Sequence, residues 1–344
     1  MPASPSPLPG PAADRPTGRS TGQTTSPAPG PATAPTTRSP GYTVLLATGG
    51  TIACTQDSHG DLRPTLGGRG VLKNAGLDTD SEHREIRVVD VAQLDSSALT
   101  LSDIDRILAA IAGARDQGAD RVIVTHGTDT LEETAMAADR LLPPGGPVIF
   151  TGAQRPADDC APDGPANLRA ALDIPLGKHT RPVVCFGGQI IPAYGATKNH
   201  TTADAGFGCA YDPRIEDPAP APLGQLAPLA GLRVDIVPAY AGADGSAVDP
   251  TADGLVVVAL GSGNIPPAMR GTLDRFAGPV VVCSRVPAGG VHFRYGGPGG
   301  GAELQRAGVR SGGTLRPAQA RIELLCELAV ERQRNRSSAG APTI

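Results

Sequence analysis

The chain has no tryptophan, and only 3% of its 344 residues are aromatic. Platforms for single-stranded nucleic acid are built from aromatic faces, so that class of function has little material here. Positive charge is not in excess either: the formal net charge is −4 and the pI is near 5.9. A polyanion-binding domain is ordinarily basic, and we expect no nucleic-acid partner. No apolar run approaches a membrane-spanning length, and the Walker A pattern G-x-x-x-x-G-K-[ST] does not occur. The six cysteines (Cys54, Cys160, Cys185, Cys209, Cys283 and Cys326) include no C-x-x-C pair. Stretches such as "VVCF" and "VVVC" place several among apolar neighbours, which predicts reduced, buried thiols rather than a zinc site or disulfide framework.

Proline and glycine are plentiful, at 35 and 45 residues. Many prolines fall in residues 1–41, a Pro/Ser/Thr-rich segment with almost no large apolar side chains. Such a segment buries too little surface to offset its ordering entropy, and disorder is expected. It lacks the continuous apolar core of a secretory signal, so the expected location is cytoplasmic, with no membrane partner.

From residue 42 onward, strands and helices alternate. Val44, Leu45, Leu46 and Ala47 form an apolar run without alternation, the pattern of a strand covered on both faces. Further strands are expected at 84–91, 120–127, 147–156 and 181–191, and helices at 101–118, 128–142 and across "DGPANLRAALDIPL". Repeated strand–helix units imply an α/β fold, a doubly wound and mostly parallel sheet. The proline-rich stretch 216–231 reads as a linker. Alternation then resumes in "GLRVDIVPAY", "DGLVVVALGSGN", "GPVVVCSRVP" and a last helix, "RPAQARIELLCELAVERQ". The expected organisation is therefore a larger N-terminal domain, 42–215, and a smaller C-terminal α/β domain, 232–334, with a frayed tail at 335–344. The "GGPGGG" at 296–301 follows no clear strand and is expected to be a flexible loop, which leaves a dinucleotide site unsupported.

Two strand ends carry the chemistry. In "YTVLLATGGTIACTQD" (42–57), Gly49 and Gly50 let the backbone turn sharply and leave bare peptide that a ligand can approach. Thr51 follows at the crevice where parallel sheets bind ligands. In "VIVTHGTDTLEETA" a second strand ends at Gly127, and Thr128 and Asp129 stand at a strand-to-helix turn. Thr128 or Asp129 could simply cap the helix, with Glu132 completing a capping box. Two exposed threonines at strand ends of one sheet, where parallel strands converge on one crevice, also suit nucleophilic chemistry, and Asp129 suits an ammonium group. A threonine hydroxyl needs a partner to take its proton, and Lys198 in "GATKNHTT" could serve through Thr128. His126 is a candidate base or a structural histidine, and Cys54 a candidate nucleophile or a buried thiol.

The segments "ATGGTIA" (47–53) and "THGTDTLEETA" (125–135) resemble the two signatures of bacterial L-asparaginases, the threonine-amidohydrolase family. "TGAQRP", "DGPANL", "TKNHTT", "GSGN", "SRVPAGG" and "SGGTLRPAQARIELL" follow in family order, so the resemblance covers residues 42 to 330. It implies hydrolysis of L-asparagine to L-aspartate and ammonia, with a possible side activity on L-glutamine and no metal or organic cofactor. By the same resemblance Thr51 is the nucleophile that forms an acyl-enzyme, and Thr128, Asp129 and Lys198 form a second catalytic group. Asp129 also holds the substrate ammonium; Ser96, with Ser97 beside it, meets the α-carboxylate. Ala153 gives backbone contact to the amide. Asn264 corresponds to a residue supplied by a neighbouring subunit, in a homotetramer.

The chain departs from the family pattern in two places. The loop "CTQDSHGDLRPTLGG" contains no tyrosine to meet the nucleophile, and "VPAGGVHFRYGGPGGG" has no clear match to the family's acidic residue. Tyr295 is the expected replacement for the missing phenol, with Tyr194 as a second candidate, and residues 53–70 are the expected lid. Two other readings are an asparagine-binding protein without catalysis and amidation chemistry coupled to tRNA; overall charge disfavours the second.

Overall fold

The computed structural model describes residues 41–339 apart from 78, 79, 82, 83 and 217. Residues 1–40 of the Pro/Ser/Thr-rich segment lie outside the described residues. The N-terminal domain opens with β1 (Thr43–Gly49), β2 (Cys54–Gln56), β3 (Leu62–Pro64) and α1 (Gly68–Asn74). β4 (Asp80–Ser81), β5 (Arg84–Leu94), α2 (Leu101–Asp116), β6 (Arg121–Thr125) and α3 (Leu131–Leu141) follow. Next come β7 (Val148–Thr151), α4 (Gly164–Asp173), β8 (Val183–Phe186), β9 (Gln189–Pro192), β10 (Ala196–Lys198) and β11 (Phe207–Cys209). The smaller C-terminal domain comprises β12 (Val234–Pro238), β13 (Gly254–Ala259), α5 (Pro267–Leu273), β14 (Val280–Ser284), α6 (Gly301–Arg306), β15 (Arg310–Ser311) and α7 (Pro317–Ala339).

The large sheet has the order β4-β5-β1-β6-β7-β8-β9. Its five central strands are parallel, while β4 and β9 pair antiparallel at the edges. Both faces are covered, which is why β1, β6, β7 and β8 are buried at every position. Leu46, Val124 and Phe150 pack with α2 and α3 on one face; Leu45, Ile123 and Ile149 pack with α1 and α4 on the other. The small sheet, β12-β13-β14-β15, is parallel throughout.

Crossover hand separates one connection from the rest. The chain moves from β6 to β7 with α3 on one face, then onward in the same direction to β8 with α4 on the opposite face. The β7–α4–β8 unit is therefore opposite in hand to the three crossovers before it, a rare arrangement among parallel strands.

Several expected boundaries change. The strand expected over 181–191 is two antiparallel strands, β8 and β9, joined by Gly187 and Gly188 at φ 55° and 75°. Positive φ at both central positions is what a two-residue hairpin requires. The helix expected from 128 starts at Leu131, and the final helix continues through Ala339, into the segment expected to fray. Residues 53–70 hold the antiparallel pair β2–β3, tied to the domain by Gln56 N–H donating to Asp158. The glycine-rich 296–301 leads into the six-residue helix α6.

The two domains meet along α3 and α7. Apolar side chains (Ala135, Met136, Leu325, Ala329) belong to one continuous core. Arg140 pairs with Glu323 at 2.7 Å, and Arg321 with Glu133 at 3.2 Å. Buried ion pairs add little net stability beside apolar contact but penalise misalignment.

Phe150 is fully buried in the middle of the large sheet. Phe150→Ala should cost about 3–5 kcal/mol through lost burial and the cavity left behind. Ile215→Ser, at a side chain that is 83% exposed, should leave the urea unfolding midpoint unchanged. Equal midpoints for the two variants would contradict this core assignment.

Candidate active site

The carboxyl ends of β5, β1, β6 and β7, neighbours in the sheet, carry the residues singled out from sequence. Gly49 ends β1 and Gly50 follows it, at φ 99° and 74°. An added Cβ on Gly50 would lie 2.3 Å from the Cα of Gly127. One on Gly127 would lie 2.4 Å from Ser96 Oγ. Three strand ends thus press together through glycine, and Thr51 and Thr128 each stand one residue from that contact. Thr51 opens a single 3-10 turn and is half-buried; Thr128 is 5% exposed.

The loop after β6 is laced to the loop after β5. The Asp129 N–H donates to Ser96 Oγ at 3.2 Å, and the Thr130 hydroxyl donates to the Ser96 carbonyl at 2.9 Å. Ser96 is buried, whereas Ser97 is exposed, its N–H donating to the Asp95 carboxylate at 3.1 Å. The capping box expected at α3 does not form. Thr130 occupies the N-cap without a side-chain cap bond, and Glu132 accepts the Lys198 backbone N–H instead, at 2.6 Å.

Lys198 meets Thr128 and Asp129 directly. Its Nζ donates to Thr128 Oγ1 at 2.8 Å and lies 3.1 Å from Asp129 Oδ1. The lysine side chain is 20% exposed and the aspartate 56%, so the carboxylate keeps a face open to solvent. Burial pushes the Glu132 carboxyl above its usual range, against the hydrogen bonds from Lys198 and Thr197 that favour its charged form.

Ala153, fully buried, follows β7 in a turn held by Asp163, the N-cap of α4, and Asn167 within that helix. Asp163 accepts the N–H groups of Gln154 at 2.9 Å and Arg155 at 2.8 Å. Asn167 donates to the Gly152 carbonyl at 3.0 Å and accepts the Gly187 N–H at 3.0 Å. The "DGPANL" motif contains both, and no local pattern in it reports the turn that they bind.

Asn264 and Tyr295 belong to the C-terminal domain. Asn264 Oδ1 accepts the Gly301 N–H at 3.1 Å, at the start of α6, and the Tyr295 carbonyl accepts the Ala302 N–H at 2.9 Å. Among the described residues, neither hydrogen-bonds Thr51, Thr128, Asp129 or Lys198. The Tyr295 side chain is 61% exposed, so its ring does not pack into this chain. Tyr194 faces elsewhere. It lines a cavity of about 370 Å³ with Asp139, Arg181 and Tyr211, and burial pushes its phenol up to about 12.

Two candidates prove structural. Cys54 is buried, donates its thiol to the Gly50 carbonyl at 3.3 Å, and has its pKa raised chiefly by burial, the reverse of activation. His126 is fully enclosed. Its Nδ1 lies 2.8 Å from the Gly127 carbonyl and must carry the proton, leaving Nε2 to accept from the Thr134 hydroxyl at 3.0 Å. Desolvation lowers its pKa to about 4, only partly opposed by the Gly127 hydrogen bond.

Comparison with known proteins identifies the family. Residues 43–217 match the model of the asparaginase N-terminal domain, and residues 233–338 that of the glutaminase/asparaginase C-terminal domain. The chain belongs to the asparaginase family. A probable L-asparaginase of Deinococcus radiodurans is 37% identical over 310 residues, covering 82% of this chain and 91% of that one. L-asparaginase 2 of Escherichia coli is 31% identical, covering 81% and 86%. Among solved structures, the thermostable L-asparaginase of Thermococcus kodakarensis superposes with a TM-score of 0.69 at 26% identity, covering 86% of this chain and 96% of that one. The fold of this family member is the expected one, a larger, mostly parallel α/β domain followed by a smaller one.

His126 also sets a pH dependence. The unfolded state takes up its proton near pH 6.5 and the folded state only near pH 4. Between these values the unfolded state binds more protons, so the contribution is intact above pH 6.5 and is lost as pH falls through 4. Its full size is about 3 kcal/mol. Urea titrations between pH 7 and 4 should show this slope in the parent and a flatter one in His126→Gln.

Proposed function

We propose that this family member hydrolyses L-asparagine to L-aspartate and ammonia, with Thr51 as nucleophile. The observation that carries the reading is the Lys198 ammonium set against the Thr128 hydroxyl, beside Asp129 and one residue from the Gly50–Gly127 contact. A protein that only binds asparagine has no use for a lysine directed at a threonine hydroxyl.

The chemistry follows from the weakness of a neutral hydroxyl as a nucleophile. Thr51 Oγ1 attacks the side-chain amide carbon as its proton is drawn off. The C–N bond then breaks, the nitrogen leaving as ammonia once it has gained a proton. Water attacks the resulting ester, releasing aspartate and restoring the threonine hydroxyl. Thr128 with Lys198 moves the proton, Lys198 polarising the Thr128 hydroxyl. Asp129, with its open face, takes the substrate ammonium. Ser96, with Ser97 beside it, takes the α-carboxylate, and the Ala153 backbone borders the amide.

The site reading includes a second copy of the chain. Asn264 completes the neighbour's site in a homotetramer, and Tyr295, exposed in a single chain, supplies the phenol that residues 54–68 lack. Residues 53–70 close over the substrate. Glutamine, longer by one methylene, is a secondary substrate, a difference worth ~1–3 kcal/mol in an apolar pocket. Among the described residues no helix is long and apolar enough to cross a membrane. The location we propose is cytoplasmic, although one relative, from Haemophilus influenzae, is named a probable periplasmic L-asparaginase.

Steady-state ammonia release from L-asparagine tests the assignment. Thr51→Ala should lower kcat by roughly 10³-fold or more, as removal of a nucleophile does. Release equal to the parent would refute Thr51, and asparagine binding without release in the parent would make the protein a sensor. Tyr295→Phe should lower kcat roughly 10-fold or more if its phenol assists proton transfer; an unchanged kcat removes Tyr295 from the mechanism.

A further inference from the structure

Lys198 sits on a weak support. β10 is three residues long, pairs among the described residues only with the three-residue β11, and lies outside both larger sheets. A two-stranded ribbon of that size is marginal by itself. Yet the lysine at its end has its Nζ 2.8 Å from the Thr128 hydroxyl, so something else fixes the ribbon.

Two buried polar side chains from two different helices do so. Glu132 of α3, 9% exposed, accepts the Lys198 backbone N–H at 2.6 Å and a hydrogen bond from the Thr197 side chain. Gln319 of α7, fully buried, accepts the Gly195 N–H at 2.7 Å. Its Nε2 donates to the carbonyls of Ala193 at 3.0 Å and Ala196 at 2.5 Å. Neither side chain serves its own helix. Glu132 lies in the first turn of α3 and Gln319 in the first turn of α7, yet both reach across to β10 and the turn before it. Buried carboxylates and amides are costly to place unless every hydrogen bond is made, and here the bonds go to the backbone of one short segment.

We infer that Glu132 and Gln319 are positioning residues for Lys198, clamping β10 from the two domains so that the lysine reaches Thr128. The inference rests on the proposed role of Lys198. Neither residue touches the reacting atoms; each acts through the backbone on which Lys198 is carried. Displacement of a catalytic group by about 1 Å costs on the order of 10²-fold in rate, which sets the size of the effect.

The test is a double-mutant cycle read in kcat and KM for asparagine, with melting temperatures as a check on folding. Glu132→Ala should lower kcat about 10²-fold with little change in KM, because Asp129 and Ser96 stay in place. Glu132→Gln keeps an acceptor oxygen for the Lys198 N–H and should recover most of that loss. In a Lys198→Ala background, Glu132→Ala should have no further effect on kcat, since the residue acts through the missing ammonium. Gln319→Leu is taken through the same cycle, and with Glu132→Gln it decides the matter if Glu132→Ala does not fold. A parent-like kcat in Glu132→Ala and Gln319→Leu overturns the inference. So does a loss of the same size with and without Lys198. Full activity in Lys198→Ala alone would instead overturn the proposed role of the lysine, a result the cycle reads separately.

Discussion

Where β1 and β6 end, the backbones of Gly50 and Gly127 meet with no room for a methyl group between them. Neighbouring parallel strands run about 4.8 Å apart, and side chains at their ends ordinarily keep the following loops separate. Removing the side chain at both positions lets the loops close on each other. The residues that follow, Thr51 and Thr128, inherit that proximity without any interaction of their own. Ser96 fits against the same glycine from the third strand end, and so the two hydroxyl-bearing loops and the serine form one packed group.

Around that group lies a second layer of polar side chains, buried and each bonded to the backbone of a loop. Asp163 and Asn167 hold the turn containing Ala153, and His126 ties the end of β6 to α3 through Thr134. Buried polar networks are costly when incomplete and rigid when complete. Loops that carry catalytic groups would otherwise be the most mobile parts of the chain. The unusual hand of the β7–α4–β8 crossover belongs to this layer, since it puts α4, with Asp163 and Asn167, on the face where their side chains reach the Ala153 turn.

Much of this is legible in the amino-acid sequence. Unalternating runs such as Val44–Ala47 are the signature of strands buried on both faces, and the glycine–threonine pairs at their ends marked the crevice. Other features were hidden for identifiable reasons. Gly187 and Gly188 interrupt an apolar run that reads as one strand, and only their positive φ turns it into a hairpin. Thr128, Asp129 and Thr130 all resemble caps, so the start of α3 depends on where Glu132 points, which is set by a strand more than sixty residues away. Gln319 lies in a helix whose sequence speaks only of helix. Its partners are 123 to 126 residues distant, and no local pattern reports a contact of that range. Tyr194 was misleading for the opposite reason: closeness to Lys198 in sequence did not bring its phenol to the same side.

The contact between Gln319 and the turn before β10 also bears on the order of events at the ribosome. Residues 43–217 contain every element of the large sheet, and domains formed early in synthesis generally fold as units. The turn at 193–196 nevertheless has three of its backbone groups satisfied by a side chain translated more than a hundred residues later. A nascent chain with its large sheet complete would still lack those three bonds. Completion of the support under Lys198 is thus deferred until the smaller domain has emerged and α7 has docked, so that the first domain can assemble before the ribbon that carries this lysine is fully held.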